Sequence, residues 1–284
     1  MNAFDPDAHT AESRKTWSEA AARYDKLSSS LFSPIAEAFV EFAGVRRGAR
    51  VLDVACGPGT ASRAAARRAG ETGRVLAVDL AAGMIEVAAS REAQKRAAPI
   101  EWRTMDAENL EVSAAAFDAV LCQLGLMLFA RPERALAGMR RAAAPGASVA
   151  CLVQGRRHAM LFTALVMNAL IEQAPELRAP PGAPTLYALA ADGVLEERFA
   201  LAGLTEIVSR RLTGTFRFAS PEAYWEEMTG ASGRTRAMLD GLDAVRRAKV
   251  KAAVLRRAAA HRAGRGVDIP YEFVMARGHA PAEK

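Results

Sequence analysis

One stretch near residue 50 restricts the fold more than any other. Arg50 to Ala55 is an apolar, partly β-branched run, Gly57-Pro58-Gly59 breaks it, and Thr60 to Ala69 is rich in alanine and arginine. A buried strand that turns on glycines straight into a helix opens a βα unit. The alternation continues: strand-like Arg74 to Asp79, helical Ala82 to Lys95, a short strand Ile100 to Thr104, and a fourth at Phe117 to Gln123. A helix follows at Pro132 to Ala143, with proline in its first turn, then a Pro145-Gly146 turn and a fifth strand at Ser148 to Val153. Near-continuous apolar strands spaced by helices argue for a parallel sheet covered on both faces. Right-handed crossovers then wind it doubly, so the expected class is α/β with a doubly wound, Rossmann-like sheet.

The flanks read differently. Ala11 to Ala43 reads as two helices, broken at Ser28-Ser29-Ser30 and restarted at Ser33-Pro34. After Val153 come a loop and an apolar helix to Gln173, then Pro175 to Pro184, whose four prolines and one glycine suggest a linker or hinge. Ala191 to Leu201 reads as a helix ended by Gly203, Thr205 to Phe218 has strand chemistry, and Pro221 to Met228 is a short helix. Arg234 to His261 is a long basic helix or a pair, and Ile269 to Ala276 a last strand. The expected division is 1–44 as N-terminal helices or flap, 45–155 as the ligand-binding core, 156–266 as a helical cap with late core elements, and 267–284 as final strand and tail.

A chain of 284 residues with 51% hydrophobic and 25% charged residues buries a core without disulfides or metal. Its net charge of +6 tolerates an acidic partner without demanding one. Cys56, Cys122 and Cys151 have neither CxxC nor zinc-like spacing, which fits a reducing compartment, inert thiols and no bound metal. Met1 to Thr10 has no apolar stretch of signal-peptide type, and Ala119 to Ala130 and Ala159 to Ile171 are too short to span a bilayer. The expectation is a soluble, cytoplasmic protein.

The chemistry is concentrated at strand ends. Glycine lets backbone approach a ligand closely, and the following helix offers free N–H groups, while Asp53, four residues before Gly57, suits a cationic group such as an α-ammonium. Ser62 stands where a dinucleotide loop would want its third glycine, which argues against nicotinamide. Asp79 ends the second strand, where a carboxylate accepts two hydrogen bonds from a ribose diol, or caps the next helix. Asp106-Ala107 follows the third strand, where an acid and a backbone N–H can read an adenine edge or simply form a turn.

Taken together, Asp53-x-x-Cys56-Gly57-x-Gly59, Asp79, Asp106-Ala107, Phe117-Asp118-Ala119-Val120 running into Cys122 to Leu126, and the Pro145-Gly146 turn resemble the class I S-adenosylmethionine-dependent methyltransferases. The likeness is to the type 11, UbiE-like small-molecule branch, and covers about residues 45 to 155. The resemblance implies a seven-stranded sheet of order 3-2-1-4-5-7-6 with the seventh strand antiparallel, and S-adenosyl-L-methionine as cofactor. It also implies roles: Gly57 and Gly59 as the floor under the methionine part, Asp53 at its amino group, Asp79 at the ribose. Leu80 and Met84 would pack on the adenine, Asp106 with Ala107 would read its edge, and Gln123 would sit beside the reacting centre. Met127-Leu128-Phe129 and the longer 156–266 region separate the chain from the quinone enzymes.

Candidate bases are few: His158 after the fifth strand, Glu226 beside Trp225 on a cap helix, and His9 on an N-terminal segment that closes. Trp17 and Tyr24, seven apart, share a helix face, and are read as a flap with Tyr24 reaching the cofactor, or as plain core packing. Met127, Phe129, Phe162, Tyr187 and Trp225, with Trp17, are expected to line a greasy pocket for a hydrophobic or aromatic acceptor. The function expected is therefore methylation of a small molecule at oxygen, carbon or nitrogen. An RNA or protein methyltransferase docking through the basic helix, and a non-catalytic cofactor-binding subunit, are the alternatives. The partner expected is a small-molecule substrate rather than nucleic acid or membrane, with a homodimer left open.

Overall fold

The computed structural model describes residues 4–92, 94–231 and 233–282. The elements run α1 (Pro6–Leu31), α2 (Ser33–Phe42), β1 (Arg50–Val54), α3 (Thr60–Ala69), β2 (Arg74–Asp79), α4 (Ala82–Ala89), β3 (Ile100–Thr104), β4 (Phe117–Gln123) and α5 (Pro132–Ala142). They continue with β5 (Ala143–Gln154), α6 (Leu161–Gln173), α7 (Val194–Leu201), β6 (Thr205–Phe218), α8 (Pro221–Ala231), α9 (Gly233–Asp240), α10 (Ala244–Ala259), β7 (Arg262–Ala263) and β8 (Gly266–His279).

Seven strands form the order β3-β2-β1-β4-β5-β8-β6, and the two-residue β7 pairs with β8 off that path. The first five are parallel, and β8 runs antiparallel to both β5 and β6. The expected seven-stranded order is therefore present, with β8 as its antiparallel member and one short extra strand. Successive strand residues point to opposite faces, and the core divides accordingly. Val51, Leu121, Leu152 and Phe273 face one layer with α2, α3 and α6, while Leu52, Val120, Val153 and Val274 face the other with α5 and α7. Both faces being dry explains why these strands lack the polar alternation of a half-exposed sheet.

Several boundaries differ from the sequence reading for identifiable reasons. The Ser28-Ser29-Ser30 run does not break α1, because each hydroxyl is absorbed: Ser28 meets Thr60 Oγ1 at 2.6 Å, Ser29 donates to Asp25 at 3.3 Å and Ser30 to the Leu27 carbonyl at 3.0 Å. The break comes instead at Phe32, between the two helices. The helix expected to reach Lys95 stops at Ala89, and α7 starts at Val194 after Gly193, whose φ is +80°. The basic stretch from 234 to 261 resolves into two helices, with Asp243 accepting the Arg246 N–H at 2.8 Å to start α10. Residues 1–3, 93, 232 and 283–284, which fall within ranges expected to be flap, helix or tail, lie outside the described residues. Among the described residues, no helix is long and apolar enough to cross a membrane.

Rings hold the first layer together. Phe32 meets Phe162, Phe216 and Phe273 at centroid separations of 6.0, 5.7 and 6.3 Å, and Phe162 meets Phe216 at 4.8 Å, mostly edge to face. Such pairs add about 0.5–1.5 kcal/mol beyond burial. Phe273→Ala removes a fully buried ring from β8, the strand that joins β6 to the rest of the sheet, and is expected to cost about 3–5 kcal/mol. Urea unfolding midpoints of the two proteins measure the loss.

Candidate active site: a glycine-turn cleft joined to a second cavity

The C-terminal ends of β1, β2 and β4 face one crevice, where open α/β sheets bind ligands. β1 delivers Ala55 at φ +55°, then Gly57 at φ +54° and Gly59 at φ +86°, before α3 begins at Thr60. Gly59 has a second reason to be glycine: a Cβ there would lie 2.4 Å from the Trp102 ring of β3. The turn is tied to β2 by hydrogen bonds. The Cys56 N–H donates to the Val78 carbonyl at 3.0 Å, and the Gly57 N–H donates to Asp79 Oδ2 at 2.8 Å. The Ala81 N–H donates to Asp79 Oδ1 at 2.9 Å, so one carboxylate fixes both the glycine turn and the approach to α4. Burial raises the Asp79 pKa, and these two N–H donors work against the rise.

Asp53 lies fully buried beneath this turn, where the Ser62 hydroxyl donates to Oδ2 at 2.5 Å and Oδ1 has no partner. Burial pushes its pKa up to about 7; the Ser62 bond opposes the shift and the Asp79 charge adds to it. At the end of β4, Gln123 Oε1 is likewise buried without a partner. After β3, Asp106 accepts the Glu108 N–H at 2.9 Å and caps a short 3₁₀ turn at Ala107–Asn109.

α1 covers the cleft. Thr10, Ser13, Trp17, Tyr24 and Ser28 recur at helical spacing and line it together with His9. The helix is pinned at its start by Arg131, which pairs with Asp7 at 2.7 Å and Glu108 at 3.4 Å, and by His9 Nε2 against the Leu128 carbonyl at 3.0 Å. The cleft measures about 970 Å³ with the solvent at its mouth. A second cavity of about 1610 Å³, mouth included, lies behind it, and Trp17, Tyr24, Leu124 and Leu128 line both. Trp17 and Tyr24 meet edge to face at 5.2 Å. Leu124 holds φ +60°, a costly conformation for a γ-branched residue. The next residue has to be glycine, because a Cβ at Gly125 would lie 2.6 Å from Ala55 Cβ and 2.9 Å from Cys122 Sγ.

Of the residues read from sequence as cofactor-binding, Tyr24, Asp53, Gly57, Asp79, Leu80, Met84, Asp106, Ala107 and Gln123 line the first cleft, and Gly59 sits in the turn between two lining residues. Met127, Phe162 and Tyr187 line the second cavity, and Trp17 lines both. Phe129 lines the first cleft rather than the second. Trp225 lines neither: on α8 it packs into the core, its carbonyl accepting the Thr229 hydroxyl at 2.8 Å. Of the two bases placed first, His158 is exposed in the loop after β5 and Glu226 is exposed on α8, and neither lines either cavity. His9 does line the first cleft. Sequence reading missed Gln154, Thr163, Arg157 and Arg178, all on the second cavity. The first pair carried the weak signal of polar residues on otherwise apolar elements.

The Asp53 carboxyl sets a pH dependence. Its pKa is raised on folding from 3.8 to about 7, so the native state holds the proton more tightly and ionisation costs stability progressively between those values. Asp53→Asn removes that cost. The variant's stability relative to wild type is expected to rise as pH goes from 4 to 7 and to level off above. Urea midpoints across that range test it, and a constant difference contradicts it.

Residues 51–146 match the family model described as a methyltransferase domain. The chain is 36% identical over 143 residues to an uncharacterised protein of Mycobacterium bovis, covering 49% of this chain and 48% of that protein. It is 26% identical over 272 residues to the nocamycin O-methyltransferase of Saccharothrix syringae, covering 91% of this chain and 95% of the relative. Against the ubiquinone/menaquinone biosynthesis C-methyltransferase UbiE of Azotobacter vinelandii, the identity is 34% over 131 residues, covering 44% and 52%. The match thus spans about half the length of the Mycobacterium protein. The solved structure of the YcgJ protein from Bacillus subtilis shares the fold at a TM-score of 0.56, with 14% identity over 88% of this chain and 98% of that one. The domain at residues 51–146 belongs to the class I S-adenosylmethionine-dependent methyltransferases, the class in which the UbiE-like branch lies.

Proposed function

We propose that this protein transfers a methyl group from S-adenosyl-L-methionine to a small apolar acceptor. The observation that carries the reading is the shared lining: a cleft floored by the glycine turn, with the carboxyls of Asp53, Asp79 and Asp106 on it, shares Trp17, Tyr24, Leu124 and Leu128 with a mainly apolar cavity. Two reactants held in adjacent sites that share these side chains meet in a fixed orientation, which replaces a bimolecular encounter.

The residues present fit the cofactor. Asp53 Oδ1 and Gln123 Oε1 are buried acceptors without partners, and an ammonium group beside Asp53 would satisfy and neutralise the first. A Cβ at Gly57 would project toward the Tyr24 ring at 3.8 Å, into the space the methionine part needs. Asp79 keeps lone pairs for a ribose diol after accepting its two N–H bonds. Leu80 and Met84 offer apolar faces to a purine, with Asp106 and Ala107 at its edge. When bound, the cofactor supplies an activated methyl group on a positively charged sulfur. The chain's part is to orient the acceptor and to exclude water, which α1 does by closing over the cleft. The nocamycin relative, named for a small-molecule product and covered over 95% of its length, supports a small acceptor.

Among the arginines of α10, Arg246 pairs with Glu176 and Arg257 with Glu172, while Val250 and Val254 are buried beneath. Those pairings favour a structural role for the basic helix over a nucleic-acid face.

Calorimetry is expected to give micromolar binding of S-adenosylmethionine and of its demethylated product. Asp79→Ala should weaken both by about ten- to a hundred-fold, the loss of one charge-assisted hydrogen-bonding group. Because Asp53 must ionise to hold an ammonium, binding at pH 6 should release a proton and affinity should rise as pH passes about 7. Absence of heat with either ligand overturns the reading. Labelled-methyl transfer into a small-metabolite extract, resolved by mass, then identifies the acceptor; label found only in RNA or protein would reject the small-molecule assignment.

A further inference from the structure

We infer that the second cavity is built for an acceptor with an apolar, ring-sized body and one anionic oxygen group, held by Arg157, Arg178 and the Gln154 amide. The inference rests on the proposed function and names the substrate class of that site. Its first support is the charge of the wall. Among the described residues that line the cavity, the two charged ones are both arginines, and no aspartate, glutamate, histidine or lysine joins them. Neither arginine has an ion pair among the described residues, whereas Arg156, next to Arg157 in the chain, is held by Glu272 at 2.9 Å. Arg157 instead lies over the Tyr187 ring, 5.6 Å from its centroid, which keeps the guanidinium at the cavity wall.

The neutral groups point the same way. Thr163 donates to Gln154 Oε1 at 2.7 Å, so its proton is spent, and the 3.0 Å contact with Tyr187 has the tyrosine hydroxyl as donor to Thr163. This one-way chain leaves the Gln154 carbonyl occupied and its two N–H donors available. Gln154 ends β5, beside the shared wall, and is 7% exposed. A cavity whose charged groups are two arginines, with the Gln154 amide adding donors, selects a ligand oxygen that carries negative charge. It rejects amines, whose ammonium would meet two arginines and no carboxylate. The remaining walls, including Phe162 and Met127, accept a flat apolar body.

The test measures binding of 2-naphthoate, its neutral methyl ester and 2-naphthylmethylammonium by calorimetry, with and without saturating S-adenosylhomocysteine. Naphthoate is expected to bind at least ten-fold more tightly than either analogue. The double variant Arg157→Gln/Arg178→Gln, altered at two exposed positions, should abolish most of the preference for naphthoate over the ester while leaving S-adenosylhomocysteine binding in the first cleft unchanged. Equal affinities in the wild type, a preference that survives in the double variant, or no binding of any of the three overturns the inference. Failure of S-adenosylhomocysteine itself to bind would instead strike the proposed function, and the naphthoate comparison without it still reads the cavity.

Discussion

The hydrogen bond from the Gly57 amide to Asp79 is the constraint on which the rest of the site depends. It joins the turn after β1 to the end of β2 across the sheet, and the same carboxylate holds Ala81 at the start of α4. Without that brace, the turn would be held to β2 by the Cys56 N–H to Val78 carbonyl bond alone, among the described hydrogen bonds. Asp53 lies directly below, kept buried by the same turn and answered only by Ser62 on one oxygen. Burial raises the pKa of both carboxyls, and the Asp79 charge adds to the rise at Asp53, so ionising Asp53 costs stability. A fold bears such a cost where a positively charged ligand is to compensate it.

The strands of the first half were legible in the sequence because their limits are set locally. β1, β2 and β4 are short buried runs that stop at glycine, aspartate or glutamine, and their observed ends agree with the expected ones to within a residue. The grouping of residues around the first cleft was legible for the same reason: many of them lie within a few positions of those strand ends. The serine run in α1 misled because serine's competition with helix is a local tendency, and the partners that cancel it, such as Thr60, come from elsewhere in the chain.

The second cavity was hard to read because no segment contains it. Its wall draws on α1, the loops after β4 and β5, α6, the proline-rich stretch, α8 and α9. Arg157 and His158 are adjacent in a loop that looks uniformly solvated, yet one stacks on Tyr187 and the other faces water. Trp225, aromatic and on a cap helix, resembled a lining residue equally well and proved to be core. Burial direction on a helix or loop is decided by what arrives from afar, and a one-dimensional pattern carries little of that information.

The position of β8 has a consequence for biosynthesis. Among the described residues β6 pairs with β8 alone, and β8 fits between β5 and β6, so roughly fifty residues separate the synthesis of β6 from that of this partner. On the ribosome the five parallel strands can assemble as they emerge, but β6 waits with an open edge, its ladder groups unpaired. The nascent chain thus passes through a stage in which an unfinished sheet presents an unpaired edge to other chains.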